Sequence, residues 1–457
     1  MTATSAGSAP PLTRRLDLLG VMVALMVVAT IFNDLFPMLP LGELSKEGFV
    51  YAFPAVVLVF FLTGPVGRIG FPPVLVALTV GLLVTVLLGV VLNFGDIVSA
   101  SFKGKTGMTR VLTQGLSVAF GILITLLSYN LTADGRGIWI ARGARVALLV
   151  MAVVGFFEFA SWFSIPGLTQ LHNAISAVIH ENPDYADRLR STAFEVSWTA
   201  VMLTFLFPFA IADSEMPAWK VAFYVALVVV IVVLAQSRTA ILVVGIQGMM
   251  LAWAYFRRRI DLLVHALALG TIGLAAILVV GVGDRIAGPV ANMLEYGSFA
   301  GNTQSTEENV SNVTRLAAVR AGLAMFNEQP VFGIGLGQYG FEYPGHLRSE
   351  DLRSWEVRNF VDGAHPNWPP AFSIHARLLA ETGLVGYLIW LALVVPLLVG
   401  SMRRANLATA EGRMHLAAAM TLAGWLLLGF SIDSFRFFGG WIAIGVAFGL
   451  RERLPFL

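Results

Sequence analysis

The sequence predicts an all-α polytopic integral membrane protein with about twelve transmembrane helices and a large, partly helical loop on the outer side. Three observations carry this. First, the 457 residues are 57% hydrophobic and only 13% charged, with mean hydropathy +0.77, whereas about a quarter of a soluble chain is charged. Second, the apolar residues fall in runs of about 20, the length of helix that crosses a hydrocarbon core of about 30 Å. Third, arginine and lysine collect between alternate runs, as they do on the inner side of a membrane. A water-soluble enzyme, a disordered chain and a collagen-like fibre are thereby excluded. With Cys 0 there is neither a disulfide framework nor thiol chemistry. The net charge of +2 comes from scattered cations, too mild and dispersed for a nucleic-acid partner.

The first run, 17–35, follows Arg14 and Arg15 but lacks the small-residue cleavage pattern of a signal peptide, so it reads as a retained helix. Runs at 48–64, 72–94, 111–130 and 145–164 continue the series, and 194–212, 217–235, 238–256 and 260–282 follow. The last three are 374–399, 413–431 and 437–451, the final one short enough to span only with little tilt. With the N-terminus inside, the inner segments hold Arg14 and Arg15, Arg68, Arg136 with Arg142 and Arg145, Lys220, Arg257 to Arg259, Arg403 with Arg404 and Arg413, and Arg451 with Arg453. Both termini are therefore expected in the cytoplasm.

This topology leaves two long outer segments, 165–193 and 283–373. The second is far longer than the 12–15 residues beyond which loops are functional or disordered, and Trp355, Trp368 and several Phe and Tyr mark it as folded. Within it, RLAAVRAGLAMF from Arg315 to Phe326 has helical apolar spacing, with Asn309 or Ser311 available as a cap. Pro330 ends that helix, and Gly333, Gly335, Gly337 and Gly340 mark a turn lying close against something else.

The outer side is rich in arginine, whose planar fork of donors matches phosphate oxygens. Arg238, in AQSRTA between two runs, reads either as an interfacial snorkelling residue or as an anion ligand. Arg315 and Arg320 are separated by about 140° around a helix, so only one should face a central site. Arg377 and Glu381, at the re-entry into the membrane, read equally as a helix-stabilising i,i+4 pair or as a guanidinium held toward substrate. His365 and His375 are the candidate bases, with His172 and His180 as competitors. Arg188, Arg190 and Glu195 flank the sixth run, and Asp433 and Arg436 lie in the last outer loop. No histidine–carboxylate spacing announces a metal site, and no cofactor is expected. Arginines clustered where helices meet water suggest a site for a phosphorylated lipid.

The composite R-x14-P-x-x-G-x-G-x-G, filled by Arg315, Pro330, Gly333, Gly335 and Gly337, precedes RLLAETGLVG at 377–386. With the Ser237–Arg238 pair opening a run, this resembles the O-antigen ligase and O-antigen polymerase superfamily over about 150–400. The resemblance implies a metal-independent, inverting GT-C-type glycosyltransferase of the bacterial inner membrane, its site facing the periplasm. It implies undecaprenyl-pyrophosphate-linked glycans as donor and acceptor, and a chain-length regulator as partner. On that basis Arg238 and Arg315 would grip the pyrophosphate and Arg377 the second phosphate or the acceptor, with Arg320, Glu381, Arg190, Glu195 and Arg436 as further substrate contacts. Ligases of this superfamily place a histidine nine residues before the glutamate of the AETG motif, where this chain has Phe372. That departure favours an O-antigen or exopolysaccharide polymerase over a ligase. The competing classes are a lipid-linked oligosaccharide flippase or transporter, against which stand a near absence of midplane ionisable residues and a late loop with no counterpart in the first half, and a non-catalytic scaffold.

Overall fold

The computed structural model describes residues 17–63, 69–181, 188–213, 216–256 and 307–452. The expected span 260–282, the first part of the long outer segment, and Arg14, Arg15, Arg68, Arg257 to Arg259 and Arg453 lie outside the described residues. In order, the elements are α1 (Leu18–Ala29), α2 (Gly48–Thr63), α3 (Pro73–Leu92), α4 (Phe94–Ser99), a hairpin of β1 (Ser101–Phe102) and β2 (Lys105–Thr106), α5 (Gly107–Ala133) and α6 (Gly137–Ser161). They continue with α7 (Leu168–Ile179), α8 (Val196–Ala210), α9 (Ala218–Ala235), α10 (Arg238–Phe256), α11 (Glu307–Glu328), α12 (Tyr339–Glu342), α13 (Trp355–Val361), α14 (Ile374–Arg404), α15 (Ala410–Leu428) and α16 (Phe438–Glu452).

Every expected span within the described residues falls on a helix. Six of these, α3, α5, α6, α9, α10 and α14, are long and apolar enough to cross a membrane, while α1, α2, α8 and α16 are apolar but shorter. Several ends extend past the apolar run, because cations can continue a helix once each has a partner. Thus α6 begins at Gly137, where 145 was expected, and carries Arg142 stacked on Trp139 and Arg145 bonded to Asp213 at 2.8 Å. Local chemistry sets other starts. Pro73 opens α3, the Thr106–Thr109 capping box opens α5, and Ser373 Oγ accepts from the Ala376 amide to open α14. The helix α11 already includes Glu307, so Asn309 and Ser311 lie inside it and neither is its cap.

Small residues let the spans approach closely. Gly445 and Gly449 of α16 face the Thr125 and Tyr129 carbonyls of α5, where no side chain would fit, and Thr125 Oγ1 donates to the Trp441 carbonyl at 3.0 Å. Gln247 ties α10 to α8 and α15 by donating to the Thr204 and Met420 carbonyls at 2.8 and 3.0 Å.

The feature that positions the outer loop is an opening in α14. Gly383 leaves the helical conformation, at φ 64°, ψ −168°, and frees backbone groups on both sides. The segment after α11 fills them. Ile334 N donates to Ala380 O at 2.9 Å, Gly335 N to Glu381 O at 3.1 Å, and Leu384 N to Pro330 O at 2.8 Å. Asn93 of the α3–α4 junction closes the turn by donating to the Gly333 carbonyl at 3.0 Å. Gly333, Gly335 and Gly337 all have positive φ, and a side chain at Gly333 would collide with the backbone of Ala380 to Thr382. A second core of Ala318, Ala321, Met325, Ile334, Tyr339 and Tyr343 then seats α11 on the loop, with Tyr339 Oη donating to Ala318 O at 2.6 Å.

Gly333→Ala introduces both a strained φ and a backbone collision, so it should cost about 1–3 kcal/mol or more. The expected readout is a lower unfolding temperature in detergent, with protease cleavage appearing first between 339 and 372. An unchanged unfolding temperature and protease pattern would contradict the docking described.

Candidate functional site

Five segments deliver polar side chains to one end of the bundle: the start of α5, the face of α11, the start of α14, the start of α8, and the turn 429–437 between α15 and α16. The first two turns of α14 carry Arg377 and Glu381, both buried. Arg377 Nε donates to Glu381 Oε2 at 3.1 Å, Nη1 to the Asp433 carbonyl at 2.8 Å and Nη2 to Gln114 Oε1 at 2.8 Å, and its guanidinium lies 5.2 Å from the Phe435 ring centre. The i,i+4 pair read from the sequence therefore exists, and Arg377 is held as an anchor joining α14, α5 and the 429–437 turn. Removing one partner of such a buried pair costs about 3–5 kcal/mol.

Arg315 and Arg320 diverge as their spacing predicts. Arg315 donates to the Ser431 carbonyl at 3.0 Å, and its guanidinium lies 4.8 Å from the Phe372 ring centre. Burial pushes its guanidinium below the usual value, opposed by Glu195, Glu356 and Asp433 within electrostatic reach. Arg320 faces away and pairs with Asp351 and Glu350, bracing the loop instead of joining the site. Arg238 opens α10 and is exposed; the next residue, Thr239, donates to Ser431 Oγ at 3.3 Å, bringing α10 to the same turn that Arg315 holds.

Sequence reasoning missed Arg110, one residue outside the expected run 111–130. It sits in the first turn of α5, where the Gly337 turn packs on its carbonyl, within electrostatic reach of Arg377, Glu381 and Asp433. Its guanidinium stacks on Trp368 at 4.8 Å, and its Nε is buried with no hydrogen-bond partner. Lys105 covers the same indole at 5.0 Å, and Lys103 is fastened to the Asn359 and Asn367 carbonyls. A cation directly adjoining an apolar run was the available signal.

On the far rim, Glu195 precedes α8 and accepts from Ser197 Oγ. Arg436 stacks on Trp198 at 4.9 Å and donates to Glu47 Oε1 at 2.9 Å and the Glu43 carbonyl at 3.2 Å. Arg190 is buried in the supporting layer: its amide and that of Ser191 donate to Glu158, and its carbonyl accepts from Thr199. It holds the segment that delivers Glu195.

The two histidines differ from expectation. His375 Nε2 stands 2.9 Å from the Leu426 carbonyl, which can only accept, so Nε2 carries the proton and Nδ1 accepts from Tyr387 Oη at 3.2 Å. Both nitrogens are engaged, and the buried ring packs on Phe430 at 4.6 Å. This is a packing histidine, and the geometry does not support it as the base. His365 lies in the turn after α13, its Nδ1 accepting from the Asn367 amide at 3.4 Å. The carboxylates within reach of Arg315 are Asp433, which accepts from the Ala371 amide at 2.6 Å, and Glu195 and Glu356.

Chemically the arrangement suits an anion, with two guanidiniums stacked on aromatic rings and carboxylates at the margin. Residues 223–391 match the family described as O-antigen ligase, which places that stretch in the O-antigen ligase and polymerase superfamily. No curated protein matches the chain.

Burial pushes the Glu47 carboxyl up to about 8 against the opposing pull of Arg436. The folded protein thus binds more protons than the unfolded one between the ordinary carboxyl value and about 8, so stability should fall as pH rises through that window and level off above it. Comparing unfolding temperatures of the wild type and Glu47→Gln from pH 5 to 9 checks this. The variant should lose that component of the slope, and an identical slope would contradict it.

Proposed function

Taking the O-antigen ligase domain at 223–391 as premise, we propose that this chain is a polysaccharide polymerase of the inner membrane. It transfers undecaprenyl-pyrophosphate-linked glycan onto a lipid-linked repeat unit at the periplasmic end of the bundle. The observation that supports this most is the convergence of Arg110 and Arg315 beside Arg377 and Asp433, the first two guanidiniums each lying on an aromatic ring and neither in an ion pair among the described residues.

The chemistry follows from charge. An acceptor hydroxyl oxygen attacks the anomeric carbon of the donor from the face opposite the leaving group. The bond from that carbon to the pyrophosphate oxygen breaks, and undecaprenyl pyrophosphate departs with the electron pair. Arg315, Arg110 and Arg238 stabilise the charge that develops on it. Arg377, engaged by Glu381, Gln114 and the Asp433 carbonyl, positions the 429–437 turn. The hydroxyl proton passes to Asp433 or Glu195, two carboxylates in reach of Arg315.

Phe372 favours the polymerase over the ligase. It occupies the position where the resemblance places a ligase histidine, and its ring supports Arg315 at 4.8 Å. A phenyl ring holds the cation but moves no proton. The family description favours the ligase as the second reading.

Purified protein incubated with lipid-linked repeat units, with and without lipid A-core, separates them: elongation alone supports the polymerase, transfer to core the ligase, and neither product sinks both. Arg315→Ala and Arg110→Ala should each lower elongation about 100-fold or more while the protein stays folded in the membrane. A normal ladder of chain lengths from either variant would remove that arginine from the mechanism.

A further inference from the structure

At the other end of α14, up to about 40 Å along the helix from Arg377, lies a second basic feature that the proposed chemistry does not use. A cavity of about 420 Å³ opens between the ends of α14 and α16, lined by Pro396, Val399, Gly400, Arg403, Arg404 and Arg451. Three arginines from two helices meet there, and none forms an ion pair with an acid among the described residues. The charged group within reach of Arg451 is Arg404, another cation. Arg451 donates to the Pro396 carbonyl at 3.1 Å, and its Nε is buried with no hydrogen-bond partner. Behind them His415 is buried, with both ring nitrogens unpartnered and Arg404 and Arg451 as its charged neighbours.

Glycine at residue 400 lets two of these guanidiniums lie close against α14. A β-carbon there would stand 2.5 Å from Arg451 Nη2 and 3.5 Å from Arg404 Nη1. The cavity's outer wall continues into an apolar stripe on α14, where Leu388, Val395 and Val399 are 53%, 38% and 41% exposed and fall at seven- and four-residue spacing. Arg403 completes the stripe one helical turn beyond Val399. A cationic pocket at the end of a span, continuous with an apolar track down its side, has the shape of a phosphate ester joined to an acyl chain.

We propose that this cavity binds the headgroup of an anionic phospholipid, the leaflet being the one opposite the candidate site. The phosphate accepts from Arg403, Arg404 and Arg451, and an acyl chain lies along Val399, Val395 and Leu388. A free phosphate shares the headgroup chemistry but has no use for the apolar stripe.

The test is native mass spectrometry of the full-length protein, incubated in detergent with equal amounts of phosphatidylglycerol and phosphatidylcholine, with and without excess inorganic phosphate. Phosphatidylglycerol should be retained preferentially and resist inorganic phosphate. Each of Arg403→Ala, Arg404→Ala and Arg451→Ala should weaken retention about fivefold. Gly400→Leu, which fills the cavity and leaves all three charges, should abolish it. Equal retention of the two lipids, indifference to the arginine variants, or displacement by inorganic phosphate would overturn the proposal. So would undiminished retention by Gly400→Leu, which would point to a diffuse surface charge.

Discussion

The break in α14 at Gly383 is the constraint on which the placement of α11 and the 330–373 segment depends. An interrupted helix at membrane depth leaves amides and carbonyls that lipid cannot satisfy, each costing several kcal/mol if left bare. Here the 330–335 segment supplies the missing partners, strand-like, with Ile334 and Gly335 donating to one side and Pro330 accepting from the other. Loop and span are thus mutually required. Because α11 ends at Glu328, two residues before that pairing starts at Pro330, its orientation is fixed too, and Arg315 is delivered to the end of the bundle where Arg377 stands.

The same end of the bundle separates two uses of arginine. Arg377 and Arg320 are joined to carboxylates and Arg436 to the Glu47 carboxyl group, and all three spend donors on structure, binding α14 to α5, the loop to itself, and the 429–437 turn to the segment before α2. Arg110 and Arg315 rest on Trp368 and Phe372. An aromatic face holds a cation in place through its quadrupole without cancelling the charge. Neither cation is therefore tied up in an ion pair among the described residues.

Much of this was legible in the sequence because hydropathy is local. Among the described residues the runs located helices, six of them long and apolar enough to cross a membrane, and the glycines of 333–337 announced a close backbone approach that proved to be the pairing with α14. The angular separation of Arg315 from Arg320 followed from helical geometry alone. Partners distant in the chain were not legible. Arg320 looks like a site residue until Asp351, 31 positions away, takes it, and His375 looks like a base until Tyr387 and Leu426 occupy its two nitrogens. Arg110 escaped because its significance comes from Trp368 and the Gly337 turn, neither near it in sequence. The site residues after 391, Asp433 and Arg436, lie outside the matched family segment as well.

Backbone strain follows the same map. Among the described residues five other than glycine have positive φ, and three of them lie two to four residues before site segments: Ser191 before Glu195, Gln236 before Arg238, and Phe372 before α14. A bulky residue at φ 50° is unfavourable by about 1–3 kcal/mol and persists only where its surroundings enforce it. Around Phe372 they do. The Ala371 amide donates to Asp433, Ser373 Oγ to the Gly429 carbonyl, and the Ile374 amide to the Ile432 carbonyl. These bonds clamp the chain on both sides of the ring against the 429–437 turn, which leaves the ring beneath Arg315. The clamp that imposes the strain is thus made by the turn that also carries the Ser431 carbonyl to which Arg315 donates. Relaxing Phe372 would move the aromatic support of the guanidinium away from the turn that orients it. A single turn therefore sets both the height of the cation and the direction in which its remaining donors point.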